Sequence, residues 1–567
     1  MCSCRSVPVS NKYMAASANS MRPVLLMAFL FTAGAMASSA QAANATQPKT
    51  SNGYRIAGTV VSKTDMHPLS SARISLRDVK DVQKAQSVFT GEDGKFEFNG
   101  LPAGKYDLIG ARRGFISASY DQHEQFSSAI VTGAGLDTET LLLRLAPAAV
   151  ITGKVLDEFG EPVRRAMVTL YRDDHSSGVD QIRQSRSSQT DDLGTYELGP
   201  LMPGTYFVSA SGKPWYAIHP NSEARGARAE NSAVDRSLDV AYPMTYYADV
   251  TDADSATPIL IQGGERAQVD IHLNPVPALH LLFHVPRDDQ HGINFPQLQQ
   301  PTFDGSTSVQ GTGGQVVSPG LLEITGIPAG RYNVRMGGQG SGVQINSVDF
   351  NKDGEEVDTS RAEALSSVNV SVRIAGENTL PAQMKVGLRS GRREIVASQD
   401  LNTKGEAELQ QVPAGKYEVT VWGAAKPYFV GRIAASGADV SGRMLTVAAG
   451  SSPSISLTLT GSSVEVRGTA MLAGKPFAGA MVVLVPKNPE VDRDLFRRDQ
   501  SDLDGTFTLR QVIPGSYTVL AIQNGWDLDW SQPAALIAYA KHGQAVEIGD
   551  GSGRPVNLAD AIEVQSK

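Results

Sequence analysis

The sequence contains almost no cysteine. Its 567 residues include two, Cys2 and Cys4, and both lie ahead of a segment with the features of a cleaved leader. We therefore expect the mature chain to have no disulfide, no lipid-attachment cysteine and no thiol nucleophile.

Charge is also scarce. Charged residues make up 19% of the chain, below the usual share of roughly a quarter, and the formal net charge is −8 with an isoelectric point near 5.7. This balance argues against a nucleic-acid partner, which would require a basic face. The 55 glycines and 30 prolines instead indicate short strands joined by many turns. At this length about four or five domains are expected.

One apolar run stands near the start. Arg22 precedes the stretch from Val24 to Phe31, and small residues follow up to Ala42. This is the pattern of a secretory signal peptide cleaved near Ala43, and the run is shorter than the ~20 residues that span a bilayer. We predict export to the periplasm, the cell surface or the extracellular medium, with no transmembrane segment after the leader.

A phrase recurs five times along the chain: a tight turn, an alternating strand, a turn with Pro and Gly, and a strand that begins near a tyrosine. The alternation of Lys95-Phe96-Glu97-Phe98 is typical of a half-buried strand. We expect each tyrosine to occupy a fixed point of the sheet, with its hydroxyl bonded to nearby main chain. The five tyrosines are Tyr106, Tyr206, Tyr332, Tyr417 and Tyr517.

A second phrase opens most copies. A strand with glycine leads through a Gly/Pro turn to another alternating strand, as in ITGKVLDEFGEPVRRAMVTLYRD (151–173) and VRGTAMLAGKPFAGAMVVLVP (466–486). Short strands at regular intervals with such turns indicate antiparallel sandwiches. Together the two phrases resemble the carboxypeptidase regulatory-like domain, a transthyretin-like β-sandwich related to carbohydrate-binding-like sandwiches.

The resemblance implies an all-β chain, a tandem array of about five small antiparallel β-sandwich domains (transthyretin-like or Ig-like) after the signal peptide. It is good in the first, second and fifth copies, partial in the fourth, and rests on one phrase in the third. Because both phrases consist of turn and core residues, they indicate a fold and not a function. The predicted segments are 1–42 for an extension and signal peptide, then 52–146, 147–275, 276–362, 363–460 and 461–563 for the sandwiches.

The second sandwich carries an insert, residues 217–262. Its first half is polar and rich in Ala and Arg, which predicts a long loop. Its second half contains Tyr242, Tyr246 and Tyr247 and is expected to be ordered over a sheet. Long loops on rigid scaffolds often carry function.

We find no residue pattern that predicts catalysis or metal binding. His280 and His284 lie in a segment that predicts a strand, where roughly 13 Å separates their side chains. Asp499, Asp502 and Asp504 lack the acidic residue that closes a calcium loop, so a solvated hairpin turn is predicted. Nucleophile elbows and phosphate-binding loops are absent from the sequence. We therefore expect no enzyme activity, no cofactor and no metal.

Aromatic rings after the tyrosine strands are the remaining candidates for a site. A ring repeated at this place predicts a surface that stacks on sugars or anchors a protein partner. The alternative is a plug that closes the sandwich or contacts the next domain. Trp526 and Trp530 are the preferred pair, because two rings so close are harder to bury together. The candidate ligand-binding residues are Trp526, Trp530, Trp215, Trp422 and Phe115.

Three functions are compatible with these features. The first is an exported, non-catalytic binding protein that holds a polysaccharide or an envelope or extracellular protein. The second is an envelope scaffold or adhesion module in which packing between domains buries the aromatic rings and no small ligand is held. The third is an enzyme, which would need a cleft with clustered ionisable groups.

Overall fold

The computed structural model describes residues 53–81, 83–219, 235–284, 295–309, 313–338, 341–357, 362–377, 379–390, 395–424, 428–461, 463–549 and 554–567. Regular structure in this part of the chain is almost entirely β-strand, which confirms the predicted all-β fold. None of its helices is long and apolar enough to cross a membrane. The predicted signal peptide lies outside the described residues.

Alternating side chains give many of the strands one buried and one solvated face. In the strand Lys95–Leu101, Phe96 and Phe98 are buried while Lys95 and Glu97 face solvent. Successive side chains of a strand point to opposite faces, so this pattern buries one face against a second sheet. The same pattern recurs in the other sandwiches, and the strands group into five successive units around five cores, named here the first to fifth sheet pairs. In the fifth, the strand Ile562–Ser566 pairs with a strand of each sheet and joins the two into one nine-stranded sheet.

The strands of the first three sheet pairs are short and closely spaced. The first pair contains β1 (Tyr54–Ser62), β2 (Arg73–Asp78), β3 (Ala85–Phe89), β4 (Lys95–Leu101), β5 (Gly104–Ala111), β6 (Ala118–Ser119), β7 (Ile130–Thr132) and β8 (Leu141–Leu145). The second contains β9 (Ala149–Leu156), β10 (Met167–Asp174), β11 (Gln181–Gln189), β12 (Thr195–Leu201), β13 (Gly204–Ser211), β14 (Val240–Ala241), β15 (Thr245–Tyr246), β16 (Ile259–Ile261), β17 (Arg266–Gln268) and β18 (Ile271–His272). The third contains β19 (Val276–Pro277), β20 (Leu279–His284), β21 (Gln297–Thr302), β22 (Gly305–Ser308), β23 (Gly313–Ser318), β24 (Leu321–Ile327), β25 (Gly330–Gly338), β26 (Ser341–Phe350), β27 (Glu356–Val357) and β28 (Glu363–Ala364).

The last two sheet pairs follow the same design, and the fifth adds a helix. The fourth contains β29 (Ser366–Ile374), β30 (Lys385–Arg389), β31 (Ile395–Asp400), β32 (Glu406–Val412), β33 (Gly415–Trp422), β34 (Phe429–Ser436), β35 (Asp439–Ser441), β36 (Met444–Val447) and β37 (Ser454–Thr460). The fifth contains β38 (Val464–Leu472), β39 (Lys475–Pro476), β40 (Met481–Pro486), β41 (Arg497–Gln500), β42 (Thr506–Val512), β43 (Gly515–Gln523), helix α1 (Pro533–Ala540), β44 (Gln544–Ile548), β45 (Val556–Asn557) and β46 (Ile562–Ser566). Short 3-10 helices cover Arg236–Leu238, Ala253–Ser255, Arg493–Leu495 and Gly525–Asp527.

All five sheet pairs share one topology. The opening strand pairs antiparallel with the strand before the Pro/Gly turn and parallel with a closing strand, as β1 does with β4 and β8. The tyrosine strand lies in the opposite sheet beside the second strand, as β5 lies beside β2. The Pro/Gly turn therefore carries the chain from one sheet to the other, and each core lies between its two sheets.

The hydroxyl of each landmark tyrosine is bonded as the sequence predicts. In every sheet pair it donates to the carbonyl oxygen four residues earlier, across the Pro/Gly turn. The five bonds join Tyr106 to Pro102 (3.0 Å), Tyr206 to Met202 (2.8 Å), Tyr332 to Pro328 (2.6 Å), Tyr417 to Pro413 (2.8 Å) and Tyr517 to Ile513 (2.9 Å). In the fourth pair the ring lies close to the turn glycine, because an added Cβ at Gly415 would lie 2.9 Å from the Tyr417 hydroxyl oxygen.

The insert of the second sandwich is ordered in its second half, as predicted. Tyr242 and Tyr246 are buried, and Tyr247 packs against the core of the second pair. Most of the first half falls outside the described residues. The predicted domain boundaries stay a prediction, because Asn52–Lys567 behaves as one unit with contacts between its sheet pairs.

Replacing Tyr517 by phenylalanine removes its hydroxyl bond and leaves the Ile513 carbonyl without this donor. We expect the free energy of unfolding to fall by about 1 kcal/mol, the usual net contribution of such a bond. Urea unfolding followed by tryptophan fluorescence measures the change. Tyr54→Phe is the control, because Tyr54 is 47% exposed and its replacement should leave the midpoint unchanged. Equal midpoints for Tyr517→Phe and the native chain would contradict the role of the bond.

Candidate functional site

Three of the five predicted aromatic residues lie apart from one another on different sheet pairs. Trp215 follows β13 and is 87% exposed, with its ring edge-to-face against Tyr216. Phe115 is half-buried, and the Arg112 guanidinium lies 5.0 Å from the centre of its ring. Trp422 ends β33 and is 37% exposed. The structure therefore does not bring these rings into one surface.

The preferred tryptophans, Trp526 and Trp530, lie between sheet pairs. Trp526 stacks on His123 of the first pair with ring centres 5.1 Å apart. Trp530 is 7% exposed and packs against Gly178 of the second pair, where an added Cβ would lie 2.6 Å from the indole. The expectation that both rings are exposed is therefore wrong. Instead they contact other sheet pairs, which was the alternative interpretation of the sequence. Their role in ligand binding stays a prediction.

The burial of Trp530 follows from an apolar outer face on the fifth pair. All six residues of β40 are buried, because one face of the strand packs in the sandwich core and the other lies under α1, Phe496 and Trp530. A strand covered on one side alternates, whereas a strand covered on both is an unbroken apolar run. The run from Met481 to Pro486 was therefore the sequence signal for a second covered face.

Arg498 places a buried positive charge at the centre of this contact. Its side chain is 2% exposed, and its guanidinium lies 2.6 Å from a Glu124 carboxylate oxygen and 4.0 Å from the centre of the Trp530 ring. It also donates to the main-chain oxygen of Ser176 at 3.3 Å. Arg498 thus contacts the first and second sheet pairs from the fifth. We call this contact the Arg498 junction.

A cleft of about 390 Å³ lies between the fourth and fifth sheet pairs, beside Trp422. Its described lining combines aromatic and polar side chains. These include Trp422, Tyr428, Phe429, Arg389, Thr420 and Asp494. Pockets for small ligands usually have this character, with apolar and aromatic walls and a few polar groups that fix orientation. We call this cleft the Trp422 cleft.

The ring of Trp422 rests on the main chain of the neighbouring strand. Trp422 pairs with Lys385 in the sheet, and its indole extends over Gly387, where an added Cβ would lie 2.6 Å from the ring. Glycine at this position lets the ring approach the strand closely. Sequence reasoning found Trp422 but missed its polar neighbours, because Asp494 comes from the fifth sheet pair.

Charges at the Trp422 cleft are paired. Arg389 lies 3.3 Å from Glu418 and 3.6 Å from Asp494, and its side chain is 23% exposed. The Tyr428 hydroxyl donates to Glu377 at 3.0 Å. These contacts hold the polar groups of the cleft in place without giving it a strong charge of one sign.

Family comparison identifies the first sheet pair. The family model of the carboxypeptidase regulatory-like domain matches residues 55–137, which run from β1 through β7. Residues 55–137 are a carboxypeptidase regulatory-like domain. This confirms the suspected resemblance where it was read in the first copy. No curated protein matches the chain significantly.

Solved structures similar to this chain include two pilins and one further bacterial protein. The minor pilin GBS52 of Streptococcus agalactiae is 14% identical, with 42% of this chain and 99% of that chain covered and a TM-score of 0.20. The streptococcal ancillary pilin is 12% identical, covering 54% and 98%, with a TM-score of 0.19. The Bacillus anthracis TIE protein is 12% identical, covering 71% and 73%, with a TM-score of 0.17. Similarity at these TM-scores carries no argument about function.

The regulatory-like domain also receives the aspartate-rich turn of the fifth pair. Asp502 accepts a hydrogen bond from the main-chain nitrogen of Ala129 at 2.8 Å and forms an ion pair with Lys105. Its side chain is 18% exposed. The predicted solvated turn is therefore wrong for Asp502, which docks on the regulatory-like domain instead of facing solvent.

Histidines take part in structural ion pairs. His280 and His284 lie in β20, as the predicted strand requires. Within the described part of the chain, one group of three possible metal ligands comes close together: His175, Asp180 and Asp529. Both ring nitrogens of His175 are already bonded, Nδ1 to Asp180 at 2.6 Å and Nε2 to the Leu528 carbonyl at 2.8 Å. Both partners are acceptors, so the two hydrogen bonds form together only when the ring is protonated.

Removing Arg498 should destabilise the fold strongly. Arg498→Ala leaves the Glu124 carboxylate without its buried partner and opens space beside Trp530, so we expect a loss of about 3 kcal/mol in the free energy of unfolding. Urea unfolding followed by tryptophan fluorescence measures it. Arg493→Ala is the matched control, because the Arg493 side chain is 45% exposed in its pair with Glu490 and such pairs contribute little. Similar losses for both variants would contradict a special role of the Arg498 junction.

His175 should make stability depend on pH. Burial alone would lower the pKa of His175, but its bonds to the Leu528 carbonyl and to Asp180 outweigh burial and raise this pKa above the ordinary 6.5. The folded chain therefore holds the proton more tightly than the unfolded chain. The resulting stabilisation is complete below the unfolded pKa and is lost as pH rises through the higher folded pKa.

The measurement is the urea midpoint between about pH 6 and about pH 8. We expect the midpoint of the native chain to fall over this range and the fall to be smaller in His175→Gln. His67→Gln serves as the control, because the His67 side chain is 52% exposed and its removal should leave the slope unchanged. An unchanged slope in His175→Gln would refute the assignment.

Proposed function

We propose that the chain is an exported, non-catalytic protein that binds carbohydrate in the Trp422 cleft. The observation that carries this proposal is a partly exposed indole at the wall of a cleft with arginine, threonine and aspartate beside it. An aromatic face covers the apolar face of a sugar ring, while polar side chains bond to its hydroxyls. The leader-like segment up to Ala42 supports export to the periplasm, the cell surface or the medium.

We infer that the protein is non-catalytic from the residues that line the Trp422 cleft. Hydrolysis of a glycosidic bond usually requires two carboxyl groups on either side of it. Among the described lining residues of the Trp422 cleft, Asp494 is the single carboxylate, and it forms ion pairs with two arginines. The sequence motifs for nucleophilic catalysis are also absent.

A second candidate function is favoured by the Arg498 junction. There the rings of Trp526 and Trp530 are covered by other sheet pairs of the same chain, as expected of an envelope scaffold or a protein-binding adhesion module without a small ligand. In that case the junction serves to hold the sheet pairs together, and the Trp422 cleft has no ligand.

Retention on immobilised polysaccharides distinguishes the two functions. The chain from Ala43 onward is passed over a panel of insoluble and immobilised glycans, together with Trp422→Ala and Trp215→Ala at matched circular dichroism. We expect retention on at least one glycan, lost in Trp422→Ala. Trp215→Ala should be retained like the native chain, although its ring is the more exposed of the two, 87% against 37%. Retention of none of the proteins on any glycan would overturn carbohydrate binding and favour the scaffold.

A further inference from the structure

Asp494 lies between two arginines at the junction of the fourth and fifth sheet pairs. One carboxylate oxygen is 3.6 Å from Arg389 and the other is 3.6 Å from Arg443. Both distances exceed that of a hydrogen bond, so these are ion pairs without one. Among the described residues, no donor bonds to the Asp494 carboxylate, although its side chain is only 32% exposed. The Asp494 carboxylate is therefore held in place by the attraction of the two arginines, and its oxygen atoms can still accept hydrogen bonds from the hydroxyl groups of a ligand.

A second cleft lies on the other side of this carboxylate. It measures about 470 Å³ and is lined by polar groups that include Arg443, Lys487 and Asn488. The two clefts are lined by residues that are neighbours in the sequence. In β34, Phe429 and Val430 line the Trp422 cleft and Gly431 lines the second one. In the 3-10 helix, Asp494 lines the first cleft and Leu495 the second.

The charges around both clefts are nearly balanced. Lining cations Arg389, Arg443 and Lys487 face lining carboxylates Asp492 and Asp494, while Glu418 pairs with Arg389 and the Arg497 guanidinium lies 5.4 Å from the centre of the Phe429 ring. A ligand with many carboxylates would meet only a small excess of positive charge and would be repelled by Asp494. A neutral chain of sugars fits this balance, because its hydroxyls donate to carboxylates and accept from cations.

We propose that the two clefts together bind an internal stretch of a neutral polysaccharide chain, with hydroxyls of one sugar donating to Asp494 where the chain passes between them. This inference rests on the proposed function, since it takes the Trp422 cleft as a sugar site, and it adds the length and charge class of the ligand. Trp422 covers one ring on one side of Asp494. Lys487 and Asn488 contact the next part of the chain on the other side.

Calorimetry on the full chain from Ala43 onward tests this with cellohexaose, xylohexaose and mannohexaose, the disaccharide of each, and hexagalacturonate. We expect at least one neutral hexasaccharide to bind tenfold or more tighter than its disaccharide, because a second set of contacts adds to the first. Hexagalacturonate should bind more weakly than that neutral hexasaccharide. Equal affinity for the hexasaccharide and the disaccharide would overturn the two-cleft site and leave the proposed function standing. Binding of no saccharide would overturn both.

Variants locate the contacts. Asp494→Asn keeps the shape of the side chain but removes its charge, and we expect a loss of tenfold or more in hexasaccharide affinity. Asp439→Asn, on the exposed strand β35 of the fourth pair, is the matched control and should bind normally. Lys487 is exposed, and we expect Lys487→Ala to lower the affinity for the hexasaccharide and to leave the affinity for the disaccharide unchanged. Unchanged hexasaccharide affinity in both Asp494→Asn and Lys487→Ala would overturn the inference even if Asp494→Asn folds less stably.

Discussion

The hydrogen bond from each landmark tyrosine to the carbonyl four residues earlier is the constraint on which the five sandwiches depend. It spans the Pro/Gly turn at which the chain leaves one sheet and enters the other, so it sets the spacing of the two sheets at that point. The phenol ring contributes apolar surface to the core, and its hydroxyl donates to a carbonyl at the start of the turn. The same local solution therefore serves five cores whose other residues differ.

Contacts between sheet pairs rest on buried or half-buried charges. Arg498 joins the fifth pair to the regulatory-like domain and the second pair, and Asp494 lies between arginines of the fourth pair. Such pairs add little net stability compared with apolar packing, but breaking one leaves an uncompensated charge, so they favour one arrangement over others. In the Trp422 cleft the same kind of pairing leaves a carboxylate with free lone pairs beside an aromatic ring. The ion pairs that orient neighbouring sheet pairs thus also supply the polar groups of the candidate site.

Much of the fold was predictable because its signals are local. Alternation, Pro/Gly turns and recurring tyrosines each depend on residues close in sequence, and they predicted the strands, the turns and the tyrosine hydroxyl bond. The candidate site was predictable only in part. Trp422 was found as an aromatic residue after a tyrosine strand, but Trp526 and Trp530 were expected at the surface. Their neighbours His123 and Gly178 lie hundreds of residues away, and the apolar run of β40 was the sole local hint of a second covered face.

The sequence by itself determined that this protein is a series of β-sandwiches with a regulatory-like domain at its start, since strand period and turn chemistry act over a few residues. Only the tertiary structure decided which rings face solvent, which aspartates are solvated and where a cleft opens. Asp502 meets Lys105, Arg498 meets Glu124, and Asp494 meets Arg389 and Arg443, because docking of whole sheet pairs brings distant segments together. Burial of a side chain depends on what covers it, and that cover comes from another part of the chain.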